Sequence, residues 1–193
     1  MPREIEIKLP LTNPADGRRR LSEAGFRISK RRVFEVNTLF DTSRQSLSRT
    51  GRLLRVREAG RVGLLTYKGP AVVGKHKSRE ELEVEVTHPG RVAQMLACLD
   101  LVPAFRYEKY RTEYRRPGEP GLALLDETPI GAYLELEGAP AWIDRNARRL
   151  GFQDTGYITA SYGALYLDYC RRHGRRPTHM IFKRKGARSP APS

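Results

Sequence analysis

The sequence predicts an α+β domain with enough antiparallel strands to close an eight-stranded barrel and with helices packed outside it. Three observations support this prediction. Eight segments alternate as strands do, four segments have the apolar spacing of helices, and several links between strands are short enough for hairpins. Strands joined by hairpins run antiparallel, so this order does not fit alternating βαβ units.

The four predicted helices have recognisable starts and stops. The first has Asn13 as its N-cap, Pro14 at its first position and Gly25 as its stop. The other three lie within the segments HPGRVAQMLACLDL, APAWIDRNARRLGF and SYGALYLDYCRRHG. The strands are predicted at 4–9, 32–41, 52–58, 63–68, 80–87, 104–115, 122–127 and 132–137.

Length and composition limit the class of protein. A chain of 193 residues suits one domain, and the sequence contains no apolar run of 18 residues. The charged amino terminus does not resemble a signal peptide, so we expect a cytoplasmic protein without a membrane span. Cys98 and Cys170 lie in helix-like apolar settings without metal-ligand spacing, and we expect both to be core thiols.

The net charge of +14 is concentrated near the carboxyl terminus. Eight of the 36 basic residues lie between Arg171 and Arg188, where no acidic residue occurs. We therefore predict a folded domain over residues 1–174 and a basic, disordered tail over 175–193. Contact of this tail with nucleic acid or an anionic surface stays open as an alternative to simple solvation.

Five predicted strands carry charges of one sign on one face, because residues two apart in a strand share a face. These sets are Glu4 with Glu6, Arg55 with Arg57, Glu81 with Glu83 and Glu85, Lys109 with Arg111, and Glu135 with Glu137. Ordinary solvated faces would explain each strand alone. Like charges side by side repel, however, and a merely solvated face would gain by mixing signs.

The opposite face of these strands is apolar, as Ile5, Ile7 and Leu9 show, and we expect the helices to cover it. The charged face then points into the barrel. Buried charges need partners, hydration or a ligand. Acidic strands beside basic strands predict a divalent cation held by carboxylates and phosphates held by Arg and Lys.

At these residues the chain resembles the CYTH superfamily, the triphosphate tunnel metalloenzymes. The segment EIEIK, Glu4 to Lys8, matches the ExExK signature of that family. The later segment TLFDT is similar to the aromatic-Asp segment of the family, and SYGALYL is similar to its closing helix. Its successive charged strands are resembled by LLRVRE, LTYKGP, SREELEVEV, EKYRTEY and LLDETPIGAYLELEG. The resemblance implies an eight-stranded tunnel that holds a triphosphate and uses Mg²⁺ or Mn²⁺.

The resemblance also implies roles for individual residues. Catalysis would depend on Lys8, Glu4 and Glu6, with Lys8 contacting a phosphate or orienting the attacking group. The implied metal ligands are Glu4, Glu6, Glu135 and Glu137, with Glu83 and Asp126 as further acidic candidates. The implied triphosphate ligands are Arg55, Arg57, Lys68, Arg79, Lys109 and Arg111.

Three functions remain open at this point. The run LTYKGP…KSREELE is most similar to class IV adenylate cyclases, which convert ATP to cyclic AMP and pyrophosphate. A triphosphatase acting on thiamine triphosphate or inorganic triphosphate would use the same tunnel. A non-catalytic polyphosphate or nucleic-acid binder fits less well, since it has no use for carboxylates on its binding face. We expect a small-molecule triphosphate as partner, no membrane partner, and a monomer or homodimer.

Overall fold

A computed structural model describes residues 3–183 of the chain. Nine strands are β1 (Arg3–Leu11), β2 (Arg27–Thr42), β3 (Leu53–Ala59), β4 (Val62–Lys68), β5 (Val72–Val73), β6 (Lys77–Val86), β7 (Leu101–Arg115), β8 (Leu122–Thr128) and β9 (Gly131–Glu137). Four helices are α1 (Pro14–Glu23), α2 (Pro89–Cys98), α3 (Pro140–Arg149) and α4 (Tyr162–Arg172). Short 3₁₀ turns occur at Ser48–Thr50 and Asp154–Gly156.

Eight of these strands close an antiparallel barrel, as predicted. The order is β1-β9-β8-β7-β2-β3-β4-β6, and β6 returns to β1 through the pairing of Arg3–Glu6 with Lys77–Glu80. The two-residue strand β5 is added beside β6 and had no signal of its own in the sequence. In the closed barrel each of the eight strands is hydrogen-bonded to a neighbour on both sides. Alternate side chains of each strand point into the barrel.

The predicted helix starts are confirmed at two caps. The Asn13 side chain accepts a hydrogen bond from the Asp16 amide at 3.0 Å, and Ser161 accepts one from the Ala164 amide at 3.2 Å. The chain leaves α1 through Gly25, whose φ of 79° suits a residue without a side chain.

Helices α1 and α3 cover the outer face of β1, β8 and β9. Ile7 and Leu9 are fully buried there against a cluster that includes Leu21, Trp142 and Ile143. Helix α2 covers a smaller cluster on β3 and β4. Helix α4 lies over one mouth of the barrel, where Tyr162 packs with Tyr107 and Met180.

Two expectations about apolar residues are wrong. The outward residues Leu82 and Val84 of β6 are 45% and 56% exposed, because the helices cover other parts of the barrel. Cys98 is exposed at the end of α2, whereas Cys170 is buried as expected. Within residues 3–183, no helix has the length and apolarity needed to cross a bilayer.

The segment after α4 is more ordered than the sequence suggests. Met180 is fully buried, its amide donates to the carbonyl of Arg106 at 3.0 Å, and its carbonyl accepts from the Glu108 amide at 2.9 Å. The Phe182 ring packs against Tyr110, with ring centroids 5.4 Å apart. Met180 and Phe182 of the predicted tail therefore lie against β7 in the structure; residues 184–193 of that tail lie outside the described residues.

Candidate active site in the barrel interior

The barrel interior is a charged tunnel. A cavity of about 230 Å³ is lined by twelve of the thirteen residues predicted to form the site. These are Glu4, Glu6, Lys8, Arg55, Arg57, Lys68, Arg79, Glu83, Lys109, Arg111, Glu135 and Glu137. The thirteenth, Asp126, is fully buried in the wall behind them. Strand alternation and barrel closure together bring the predicted residues into one site.

The pairing register places opposite charges beside each other on neighbouring strands. The directly opposed pairs are Glu4 with Arg79, Glu6 with Lys77, Lys8 with Glu135, Lys68 with Glu81, Lys109 with Glu35, and Arg111 with Asp126. Lys68 Nζ donates to both carboxylate oxygens of Glu4 at 2.7 Å, and Lys77 Nζ donates to Glu6 Oε1 at 2.8 Å. This pairing offsets much of the cost of burying the charges.

Glu6 and Glu137, in contrast, are directly opposed like charges on β1 and β9. Oxygen atoms of Glu4, Glu6 and Glu137 lie within 4.8 Å of one another. Burial raises the pKa of Glu137 to about 7, with Glu135, Glu4 and Glu6 adding to the effect and Arg111 opposing it. Three converging carboxylates are a suitable oxygen-ligand set for Mg²⁺ or Mn²⁺.

The other acidic candidates lie among cations instead. Glu135 contacts Lys8 Nζ at 3.2 Å and Arg111 Nη2 at closer range. Asp126 accepts from Lys109 at 2.8 Å and from the Tyr162 hydroxyl at 2.7 Å. Glu83 Oε2 accepts from Thr66 at 2.7 Å. A metal role for Glu135, Asp126 or Glu83 stays a prediction, and their contacts show them balancing the basic wall.

Lys8 is held in its charged form. Burial opposes the charge, but Glu135 and Glu6 outweigh burial and raise the pKa of Lys8 above its ordinary value. Its Nζ lies 3.3 Å from Glu6 and 5.3 Å from the centre of the Tyr162 ring. A permanently charged ammonium suits contact with a phosphate oxygen and does not suit acceptance of a proton.

Several tunnel residues were missed by sequence reasoning. On β2, Glu35 and Asn37 point inward and are almost fully buried, and Lys77 and Tyr107 also face the tunnel. The inward face of β2 reads Glu, Asn, Leu, so it lacks the same-sign pair that marked the other strands. The predicted strand begins at residue 80 and leaves out Lys77, whereas β6 begins at Lys77 and places it on the same face as Arg79 and Glu81.

The carboxylate of Glu35 should make the stability of the fold depend on pH. Burial alone would raise its pKa, but Lys109, Arg111 and Arg57 lower it to about 2. A carboxylate with a lowered pKa stabilises the fold above its unfolded pKa of about 4.5, and this contribution disappears as the pH falls toward 2. The contribution amounts to about 3 kcal/mol.

We expect urea unfolding to show a smaller loss of stability between about pH 5 and pH 3 in Glu35→Gln than in the wild type. The variant starts from a lower stability at neutral pH, because the Lys109 and Arg57 cations lose a partner. If the wild type and the variant lose the same stability between about pH 5 and pH 3, Glu35 does not contribute to the pH dependence of stability.

The tunnel continues into a second cavity of about 580 Å³ at the end away from α4. Arg57, Glu83, Arg111 and Glu137 line both spaces. Glu35 lines the second cavity and Arg55 lines the first, and their buried atoms Glu35 Oε2 and Arg55 Nε have no hydrogen-bond partner within residues 3–183. Unpartnered buried atoms in a polar cavity are typical of a site that takes water or a ligand.

Comparisons with known proteins agree with this architecture. A Methanocaldococcus jannaschii protein named as a candidate adenylate cyclase is 28% identical over 135 residues, covering 69% of this chain and 75% of that protein. A Vibrio parahaemolyticus structure, also named as a candidate adenylate cyclase, superposes with a TM-score of 0.72 at 18% identity, covering 84% of this chain and 96% of that one.

A Hippeastrum structure superposes with a TM-score of 0.63 at 20% identity, covering 92% of this chain and 98% of that one. It is described as a candidate adenylyl cyclase with a dominant triphosphatase activity. The CYTH domain profile matches residues 2–146, which is most of the chain. With its closed barrel, ExExK strand and charged interior, the chain belongs to the CYTH domain family.

Proposed function

We propose that this protein is a divalent-metal-dependent enzyme that acts on a triphosphate bound in the tunnel, and that it converts ATP to cyclic AMP and pyrophosphate. One observation carries the metal-dependent, triphosphate-binding part of the proposal: three carboxylates, from Glu4, Glu6 and Glu137, converge in a barrel whose remaining wall is mainly basic. A basic wall alone would suit any polyanion. Converging carboxylates add a place for the cation that accompanies a triphosphate.

The proposed reaction gives the basic residues, Lys8 and the three carboxylates different roles. Arg55, Arg57 and Lys109 line the cavity as phosphate ligands, and their charge-assisted hydrogen bonds would hold the phosphate chain in place. Lys8 remains an ammonium and would stabilise the negative charge that develops on a phosphate oxygen. The cation held by the three carboxylates would supply Lewis-acid polarisation of phosphate oxygens.

In the cyclase reaction the ribose 3′-oxygen bonds to the α-phosphorus while the bond from that phosphorus to the bridging oxygen of the β-phosphate breaks. Pyrophosphate leaves, and the hydroxyl proton passes to solvent. The second candidate is a triphosphatase, in which water attacks a terminal phosphorus. It is supported by the second cavity, which leaves room beside the phosphate-binding residues, and by the activity described for the Hippeastrum neighbour.

The purified protein should be incubated with Mg²⁺ or Mn²⁺ and, separately, with ATP, thiamine triphosphate and inorganic triphosphate. We expect cyclic AMP and pyrophosphate from ATP, and loss of turnover when EDTA is added. Orthophosphate release without cyclic AMP would favour the triphosphatase. Tight binding of inorganic polyphosphate without turnover of any triphosphate would overturn both enzymatic functions.

A further inference from the structure

Strand β6 has a free edge along its second half, residues 81–86. The pairing of β6 with β1 ends where Arg3 lies opposite Glu80. Beyond that point β6 pairs with β4 alone, and no other backbone group within residues 3–183 bonds to residues 81–86. The free edge therefore presents unpaired amide and carbonyl groups, to which another extended chain can bond.

The free edge is regular and carries exposed aliphatic residues. Its register with β4 runs from Glu81 to Val86 without a bulge, and its outward residues Leu82 and Val84 are about half exposed. Residues 27–34 of β2 also have a strand on one side only within the described part of the chain. That stretch, however, has two register shifts and three consecutive exposed cations, Lys30–Arg32. Bulges and charges protect an edge from other chains, and β6 lacks the bulge.

Two carboxylates of the free edge have no basic residue opposite them. Glu83 lies opposite Thr66 on β4, and Arg55 of β3 reaches it at 3.5 Å. Glu85 lies opposite Leu64. Both carboxylates are exposed and line the second cavity of about 580 Å³, which leaves room for further side chains. A basic residue on a strand beside the free edge would continue the pairing of opposite charges found around the barrel.

We propose that the free edge of β6 is a docking site for an extended segment of another protein in which basic and aliphatic residues alternate. The backbone of that segment bonds to residues 81–86. Its basic side chains lie beside Glu83 and Glu85, and its aliphatic side chains cover Leu82 and Val84. A second copy of this chain fits less well, since two β6 edges would place glutamate opposite glutamate. The docking site does not depend on the proposed enzymatic function.

A labelled peptide tests the site on the full chain. The probe is fluorescein-labelled RVRVRVR, and fluorescence anisotropy gives its dissociation constant. Because the protein has a net charge of +14, a basic peptide is repelled from most of its surface. Two control peptides keep the net charge of the probe. The peptide RRRRVVV lacks the alternation, and RVRVRVR methylated at every backbone amide cannot donate hydrogen bonds to the edge.

The matching change in the protein is Val84→Lys. Val84 is 56% exposed on the outward face, so a lysine is accommodated there without entering the core, and its charge repels the probe. The matched control is Leu167→Lys on α4, at the opposite end of the barrel, where the replaced side chain is also 56% exposed. Urea unfolding of both variants should match that of the wild type.

We expect RVRVRVR to bind the wild type at least about 10-fold more tightly than either control peptide, a difference of about 1.4 kcal/mol. Val84→Lys should weaken this binding by at least about 10-fold, whereas Leu167→Lys should stay within about 2-fold of the wild type. Absence of binding, equal affinities for the three peptides, or an unchanged affinity in Val84→Lys would overturn the docking site. Sedimentation that shows wild-type dimers which Val84→Lys dissociates would assign the edge to a second copy and also overturn it.

Discussion

Replacing Glu137 with glutamine should reduce metal-dependent turnover by at least about 100-fold and still leave a stable barrel. The loss follows because one of three converging carboxylates disappears, and a bound cation contributes several kcal/mol to charge stabilisation in the transition state. Stability at about pH 8 should rise by about 1 kcal/mol, since the raised pKa of Glu137 shows that its charge is unfavourable in the fold. Initial rates with Mg²⁺ and urea unfolding measure the two effects.

Glu135→Gln is the matched control, because it makes the same change two residues earlier on the same face of β9. Glu135 balances Lys8 and Arg111, so its loss leaves buried cations short of a partner. Removing one member of a buried ion pair costs about 3 to 5 kcal/mol, and we expect destabilisation of that size. If Glu137→Gln stabilises the fold and Glu135→Gln destabilises it, the result supports Glu137 as a metal ligand and Glu135 as a partner of the buried cations. A loss of stability in Glu137→Gln with full metal-dependent activity would contradict it.

The second large effect should come from ending the chain after Gly174. This deletion removes Met180, which is fully buried against Tyr107 and Tyr162, and cavity formation at a buried methionine costs about 2 to 5 kcal/mol. Turnover should fall as well, because the Tyr107 hydroxyl contacts Arg55 at 3.3 Å and the Tyr162 hydroxyl contacts Asp126. Urea unfolding and kcat/KM measure these changes.

A chain that ends after Lys183 separates packing from charge. It keeps Met180 and Phe182 but removes Arg184, Lys185 and Arg188 from the basic end of the sequence. We expect wild-type stability and turnover from this shorter deletion. Equal damage from both deletions would show that residues 184–193, and not Met180, account for the effect.

Most of the site could be predicted because strand alternation is a local property. The pairs Arg55 with Arg57 and Lys109 with Arg111 mark their inward face without any knowledge of the neighbouring strands. The different surroundings of Glu135 and Glu137 could not be predicted in this way. Pairing with β1 places Lys8 opposite one and Glu6 opposite the other, and that register depends on contacts more than a hundred residues apart.

The segment after α4 shows a second limit of prediction from the sequence. A stretch rich in arginine, with proline and glycine, has the composition of a disordered tail. Composition describes averages, however, and a single buried Met180 with two backbone hydrogen bonds is enough to fix the chain on β7. Strand β6 shows the reverse case: Leu82 and Val84 alternate regularly on its outward face, but none of the helices in residues 3–183 covers them.

The position of β1 between β6 and β9 has a consequence for biosynthesis. β1 precedes both of its partners in the chain, because it pairs with Lys77–Glu80 and with Ala132–Glu137, so the partners emerge from the ribosome long after it does. Closing such distant pairings is slow, and unpaired strands associate readily with other chains. The nascent protein therefore carries β1 as an open, amphipathic strand until its partners are made, and the barrel closes only when β9 has left the ribosome.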